Sequence, residues 1–235
     1  AVHLAALVKA AVTLPVFAQG SIVDPAMAAA LLAEGKADAV EMTRALIADP
    51  ELPTKLRQGQ ADDIRPCLLA NQDNIIGLVQ NPGLSCANNP AAGYEREAEF
   101  APLKPARIRH RVLIVGGGPA GLEAARVAAL RGHRVTLYER SHRLGGAIRL
   151  AAAAPGRERL ALAVDWLEAQ VRKLDVEIQT GIEMTAERVI AAAPDAVIVA
   201  VGGIPGRQAG VCFHETAPVV NPRQVRNFAR ASGEL

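Results

Sequence analysis

Apolar residues in this chain form short strand-like runs that alternate with longer helical periods, and the alternation is interrupted once in the middle. In the first stretch an apolar run at Pro15–Ala18 leads into Gly20, and Asp24 followed by Pro25 marks a capped helix over Ala26–Glu34 that stops at Gly35. A second run, Ala39–Met42, meets Arg44 before the next helical turn begins at Leu46. Together with a leading helix, this predicts helix, strand, helix, strand, helix, which is the pattern of parallel βα units. From Ala61 to Arg109 neither period holds: Pro66, Pro82, Pro90, Pro102 and Pro105 punctuate a linker that carries two cysteines. From His110 the βαβ pattern returns. It predicts a strand over Val112–Val115, a helix over Ala120–Arg131, a turn at Gly132, and a strand over Arg134–Tyr138 that ends at Glu139. A helix over Leu160–Leu174 and the strand-like DAVIVAVGG (Asp195–Gly203) follow, with Trp166 expected as a packing residue of that helix.

The richest chemistry lies where the second βαβ pattern starts. RVLIVGGGPAG (Arg111–Gly121) places Gly116, Gly118 and Gly121 in G-x-G-x-x-G spacing, between a strand and a helix. In that spacing the first glycine makes the tight turn out of the strand. The second has no Cβ and lets a pyrophosphate approach the backbone, and the third lets the helix pack close to the strand. The helix start presents free N–H groups and the positive end of its dipole. The amides of Gly118, Ala120 and Gly121 are therefore the expected pyrophosphate cradle. Glu139 stands close to the offset of about 20 residues at which a carboxylate binds ribose hydroxyls; its competing reading is an exposed strand-end carboxylate. Arg140 either lies along the adenine or points to water.

Composition narrows the function classes. The chain has 235 residues, half of them hydrophobic, a formal net charge of +2 and 3% aromatics. That is too little charge for nucleic acid and too few rings for a base-stacking platform. No apolar run reaches the roughly 18 residues a membrane-spanning helix needs. Lys9 and Pro15 interrupt the opening apolar stretch, and no basic segment precedes it, which argues against a signal peptide. Three cysteines, Cys67, Cys86 and Cys212, suit a reducing compartment better than a disulfide framework, so a cytoplasmic protein is expected. His3, His110, His133, His142 and His214 are scattered and read as surface or loop residues. No catalytic acid, base or nucleophile can be named from the sequence.

Three segments carry a resemblance. ALIADPELPTKLRQGQADDIRPC (Ala45–Cys67), SCANNPAAGYERE (Ser85–Glu97) and VLIVGGGPAGLEAARVAALRGHRVTLYERSHRLGG (Val112–Gly146) resemble the trimethylamine dehydrogenase and 2,4-dienoyl-CoA reductase branch of the old yellow enzyme flavoproteins. That family joins an FMN-bearing (β/α)8 barrel to an iron–sulfur segment and then to a nucleotide domain. The resemblance implies an α/β chain with three parts: residues 1–62 as the last two βα units of the barrel, 63–109 as the linker with the cluster segment, and 110–235 as the first part of a Rossmann-like domain binding FAD or ADP. It also implies a flavin-dependent oxidoreductase, of the amine dehydrogenase or enoate reductase kind, in which Leu144, Gly145 and Gly146 form a second glycine turn beside the phosphates. Gly20 and Arg44 stand where the family holds the FMN phosphate, with Ser21 and Thr43 in place of the usual arginine and glycine. The competing reading of Arg44 is a helix-start arginine bonded to backbone.

The chain also departs from the family. It starts without methionine inside what resembles the seventh βα unit, and it stops before the second dinucleotide-binding unit. This leads us to expect a fragment, or one subunit of a split enzyme, inactive in isolation. The family's C-x-x-C-N-x-x-C, with a fourth cysteine further on, is retained only at Cys67, Asn71 and Cys86. Ala70 and Asn74 take the other two cysteine places. A four-iron cluster wants four thiolates, so none is expected; Cys67 and Cys86 read as remnants that serve as small hydrophobes, and no other metal site is expected. The alternative function is a non-catalytic nucleotide-binding module that docks on a barrel-bearing partner chain.

Overall fold

The computed structural model describes residues 2–71, 84–97 and 103–203. Asn74, Pro82, Pro102, Cys212 and His214, named above, lie outside these residues. The chain divides into two compact units, Ala1–Leu103 and Lys104–Leu235.

The first unit runs α1 (Val2–Ala11), β1 (Phe17–Ala18), α2 (Pro25–Ala33), β2 (Ala39–Val40), α3 (Thr43–Ala48) and α4 (Leu52–Arg57), then a 3-10 turn at Ala61–Asp63. Strands β1 and β2 pair in parallel, with Phe17 opposite Ala39 and Ala18 opposite Val40. Both are shorter than their apolar runs predict, for local reasons. Pro15 has no N–H to give, and the Val16 N–H goes to the Asp38 carboxylate at 2.7 Å instead of to a strand. Met42 has already turned away as the N-cap of α3, at φ −120° and ψ 39°. Helix α2 starts as its sequence predicts: Asp24 accepts a hydrogen bond from the Ala26 N–H at 2.8 Å, and Pro25 occupies the first turn.

Two small apolar clusters hold this unit. Ala18, Ile22, Ala28, Leu31 and Ala37 form one, and Val23, Ala45, Ala48, Leu52 and Cys67 the other. Buried Asp49 ties the segment after the 3-10 turn to α3. It accepts hydrogen bonds from Lys55 Nζ at 2.6 Å, the Arg65 N–H at 2.7 Å and the Glu51 N–H at 3.1 Å. Helix α1 buries none of its residues, and Leu4, Leu7 and Phe17 are exposed.

The second unit contains β3 (Arg111–Val115), α5 (Pro119–Leu130), β4 (Arg134–Glu139), α6 (Gly146–Ala152), α7 (Leu160–Lys173), β5 (Glu177–Thr180), α8 (Ala186–Ala192) and β6 (Ala196–Val199). All four strands are parallel in the order β5-β4-β3-β6. The direction of winding reverses at β3, between β4 and β6. In open α/β sheets this switch point, at the carboxyl ends of the strands, is where ligands bind. Ile114, Leu122, Ala125, Leu137, Val164 and Val171 are fully or almost fully buried and join the sheet to α5 and α7. Trp166 belongs to the same core, with the Arg126 guanidinium 5.7 Å from its ring centre, as expected of a packing residue. No described helix is long and apolar enough to cross a membrane.

Candidate functional site

The carboxyl ends of β3, β4 and β6 converge on the glycine loop. Gly116 adopts φ +112°, where an added Cβ would lie 2.3 Å from the Ala200 carbonyl oxygen. Gly121 sits so close to the loop that its Cβ would meet Gly116 O at 1.9 Å. Gly117, between the motif positions, would drive a Cβ to 2.4 Å from Leu144 Cδ2 and 3.0 Å from Glu139 Cβ. Gly118 is different: it is extended, at φ −75° and ψ −179°, and a Cβ there would meet nothing within 4 Å. It is the N-cap of α5. The first bond of that helix runs from the Leu122 N–H to Gly118 O at 2.9 Å, so the amides of Ala120 and Gly121 precede the ladder.

Glu139 is not an exposed strand-end carboxylate. It is 8% exposed, and each of its oxygens accepts a backbone N–H, Oε2 from Gly117 at 2.7 Å and Oε1 from Ser141 at 2.8 Å. It therefore locks the glycine loop to the end of β4, a role with no local signal in the sequence. Arg140, next to it, is exposed. The second glycine turn lies against the first. The Gly145 N–H donates to Gly117 O at 2.8 Å, and a Cβ on Gly146 would come within 3.2 Å of Gly118 Cα. Leu144 is buried beneath this contact, and Gly145 and Gly146 both take positive φ, at +107° and +54°.

In the first unit, Gly20 (φ +107°) and Ser21 (φ +59°) turn the chain after β1. Arg44, in the first turn of α3, is held by two side chains. Its Nη1 donates to Asn71 Oδ1 at 2.6 Å and its Nη2 to Ser21 Oγ at 2.8 Å. Cys67 is buried and Cys86 is half-buried, and neither is in a disulfide. They line, with Arg44, Ala70, Asn71 and Asn88, a cavity of about 30 Å³, which is room for roughly one water molecule. Among the described residues, no group of three or more histidines, cysteines and carboxylates is placed to hold a metal.

Comparison with known proteins fits both units. Residues 2–63 match the NADH:flavin oxidoreductase / NADH oxidase family, and residues 114–174 match the NAD(P)-binding Rossmann-like domain. An NADH oxidase from Thermoanaerobacter brockii is 44% identical over 205 residues, covering 87% of this chain and 31% of its own length. Among solved structures, a 2-naphthoyl-CoA reductase complex superposes with a TM-score of 0.83 at 36% identity, over 88% of this chain and 32% of that one. Histamine dehydrogenase from Rhizobium sp. 4-9 gives 0.78 at 32% identity, over 87% and 30%. The chain belongs to the NADH:flavin oxidoreductase / NADH oxidase family. This is the old yellow enzyme family that the three sequence segments resemble, and the chain spans about a third of the length of the relatives it matches.

In this member of the NADH:flavin oxidoreductase / NADH oxidase family, His142 is exposed shortly before the second glycine turn, and His110 and His133 immediately precede β3 and β4. His110 and His133 stack with ring centres 5.7 Å apart, and the His110 N–H donates to His133 Nδ1 at 3.2 Å. That bond needs an unprotonated Nδ1. Burial, and then the neighbouring His110 and Arg131 charges, hold the His133 imidazole below its ordinary value of 6.5. The unfolded chain therefore takes up this proton first as pH falls. The second unit is expected to lose stability from about pH 6.5 downward until the folded imidazole also protonates. Urea midpoints read from the fluorescence of the single tryptophan, between pH 7.5 and 5.5, should show this slope, and His133→Gln should flatten it.

Proposed function

We propose that the second unit binds the ADP moiety of an adenine nucleotide, as FAD or as ADP alone, and is the nucleotide-binding part of a flavin-dependent oxidoreductase. One observation carries this reading. Of the three motif glycines, Gly116 and Gly121 are required by protein contacts, whereas Gly118 faces open space at the start of α5. At the second position of the motif, at the start of a helix, a glycine that neither φ nor packing requires fits a ligand that needs the backbone bare. The amides of Gly118, Ala120 and Gly121 would hold the pyrophosphate, with Gly145 and Gly146 closing the other side and Leu144 supporting them. Glu139 would accept the ribose hydroxyls. A carboxylate offers about four lone-pair sites, and Gly117 and Ser141 take two. Arg140 would reach the adenine. FAD, when bound, supplies the redox centre; these residues bind and orient it.

For FMN, Gly20 would give a backbone N–H, and Arg44, with two of its five donors already on Asn71 and Ser21, would meet the phosphate with the others. For an iron–sulfur cluster the donors do not fit. Cys67 and Cys86 are short of the four thiolates a cubane needs, and the cavity beside them is water-sized. Cysteines outside any disulfide suit a reducing compartment, and we assign the protein to the cytoplasm. A second reading has support in the exposed face of β6, where Val199 is 70% exposed, and in α1: a nucleotide-holding subunit docked on a barrel-bearing partner. Copurification of such a chain would favour it.

Absorbance of the purified chain, followed by denaturation and identification of any released molecule, separates FAD from ADP. Gly118→Ala should fold as the wild type does, since its conformation suits alanine and its Cβ meets nothing, yet bind FAD or ADP at least about tenfold more weakly. Equal affinity in the variant, or no binding of either nucleotide by the wild type, would remove the reading.

A further inference from the structure

The second glycine turn is braced from beneath by an arginine that the nucleotide motif does not include. Arg149, on α6, donates from Nε to the Leu144 carbonyl at 2.5 Å, from Nη1 to Asp165 at 2.6 Å and from Nη2 to Glu168 at 3.1 Å. Its side chain is only 14% exposed, and both carboxylates belong to α7, which is anchored in the core through Val164, Leu167 and Val171. The Leu144–Gly145 peptide is thereby held at both ends. Its carbonyl accepts from Arg149, and its N–H donates to Gly117 O at 2.8 Å. In a planar trans peptide these two groups point in opposite directions, so fixing one aims the other. Gly145 also has its φ of +107° immediately above the guanidinium, where a Cβ would lie 2.6 Å from Arg149 Nε.

We propose that Arg149 is a positioning residue of the nucleotide site: it sets the Leu144–Gly145 peptide plane, and through Gly117 O it holds the two glycine turns at the separation a pyrophosphate requires. The inference rests on the nucleotide reading above but concerns a residue outside the cradle. The fork of the guanidinium is essential, because one ammonium cannot serve a carbonyl and two carboxylates in these directions.

The test uses the full chain. Affinities for ADP and FAD are measured by calorimetry well below the unfolding temperature, and exchange of the Gly145 amide is followed by NMR. Arg149→Met should weaken binding about tenfold and speed Gly145 exchange by a similar factor, with far-UV circular dichroism unchanged. Arg149→Lys keeps the charge opposite Asp165 and Glu168 but removes the Nε donor, so the same two losses are expected; it also covers a failure of the methionine variant to fold. Wild-type affinity and exchange in the lysine variant would make Arg149 a mere charge balance and overturn the proposal. If the wild type binds neither nucleotide, the nucleotide reading fails by itself. Gly145 exchange then still decides whether Arg149 sets the peptide plane, and an unchanged rate rejects it.

Discussion

Gly121→Ala is expected to destabilise the second unit by about 3 kcal/mol or more, at or above the upper end of what overpacking usually costs. The added methyl would lie 1.9 Å from Gly116 O and 3.0 Å from its carbonyl carbon, so the obstacle is backbone and not a side chain that can rotate away. The loop cannot retreat, because Gly116 is already pressed toward the Ala200 carbonyl. Relief requires α5 to move away from β3. That would open the contact among Ile114, Leu122 and Ala125, all fully buried, and exchange dense packing for a void. Urea unfolding followed by Trp166 fluorescence should show the midpoint collapse, whereas Gly118→Ala, three residues earlier, should leave it nearly unchanged. A Gly121→Ala midpoint equivalent to less than about 0.5 kcal/mol would show that the helix adjusts freely. The close approach of helix to strand would then not be what the third motif glycine serves.

The contrast between these neighbouring glycines shows which parts of the molecule were legible in the sequence. Strand β3, helix α5 and strand β4 lie within a residue or so of their predicted bounds. Their apolar periods, the glycine turn and the Gly132 stop are local signals. The Asp24 cap and the Pro25 start of α2 were legible for the same reason. The edge strand β5 was not. Its sequence, Glu-Ile-Gln-Thr, has one apolar residue, and the strand exists because Thr136 to Glu139 offer it a ladder. The short helices α6 and α8 likewise carry little periodicity of their own. Site residues divide in the same way. Gly116, Gly118 and Gly121 announce themselves by spacing, whereas Arg149 is an ordinary helical arginine until the fold brings Leu144, Asp165 and Glu168 around it. Arg44 was visible as a cation near a turn, but its partners Ser21 and Asn71 lie 23 and 27 residues away, and no local pattern identifies them.

Glu139 combines both kinds of information, and its removal should show it. The offset from the glycine motif predicts a ribose ligand, while the structure gives the carboxylate a second task in holding Gly117 and Ser141. In Glu139→Ala both N–H groups lose their acceptor, but the costs differ. Ser141 is exposed and can turn to water, whereas Gly117 is buried and would be left unsatisfied. The expected loss is therefore about 2–3 kcal/mol, the cost of one buried donor plus a charge-assisted bond, rather than twice that. Glu139→Gln keeps the volume and one carbonyl oxygen, which can serve Gly117 but not Ser141 as well. Its loss should be smaller, about 1 kcal/mol. Both variants should bind ADP or FAD at least about tenfold more weakly, since the ribose acceptor is lost or half lost. Added nucleotide makes the two tasks separable. A ligand that binds only the folded state raises the unfolding midpoint in proportion to the logarithm of its concentration over Kd, so the wild type should gain stability with ADP and Glu139→Ala should gain far less. A variant that is destabilised yet gains as much from ADP as the wild type would assign Glu139 to the loop alone, leaving the ribose to Arg140 or to solvent.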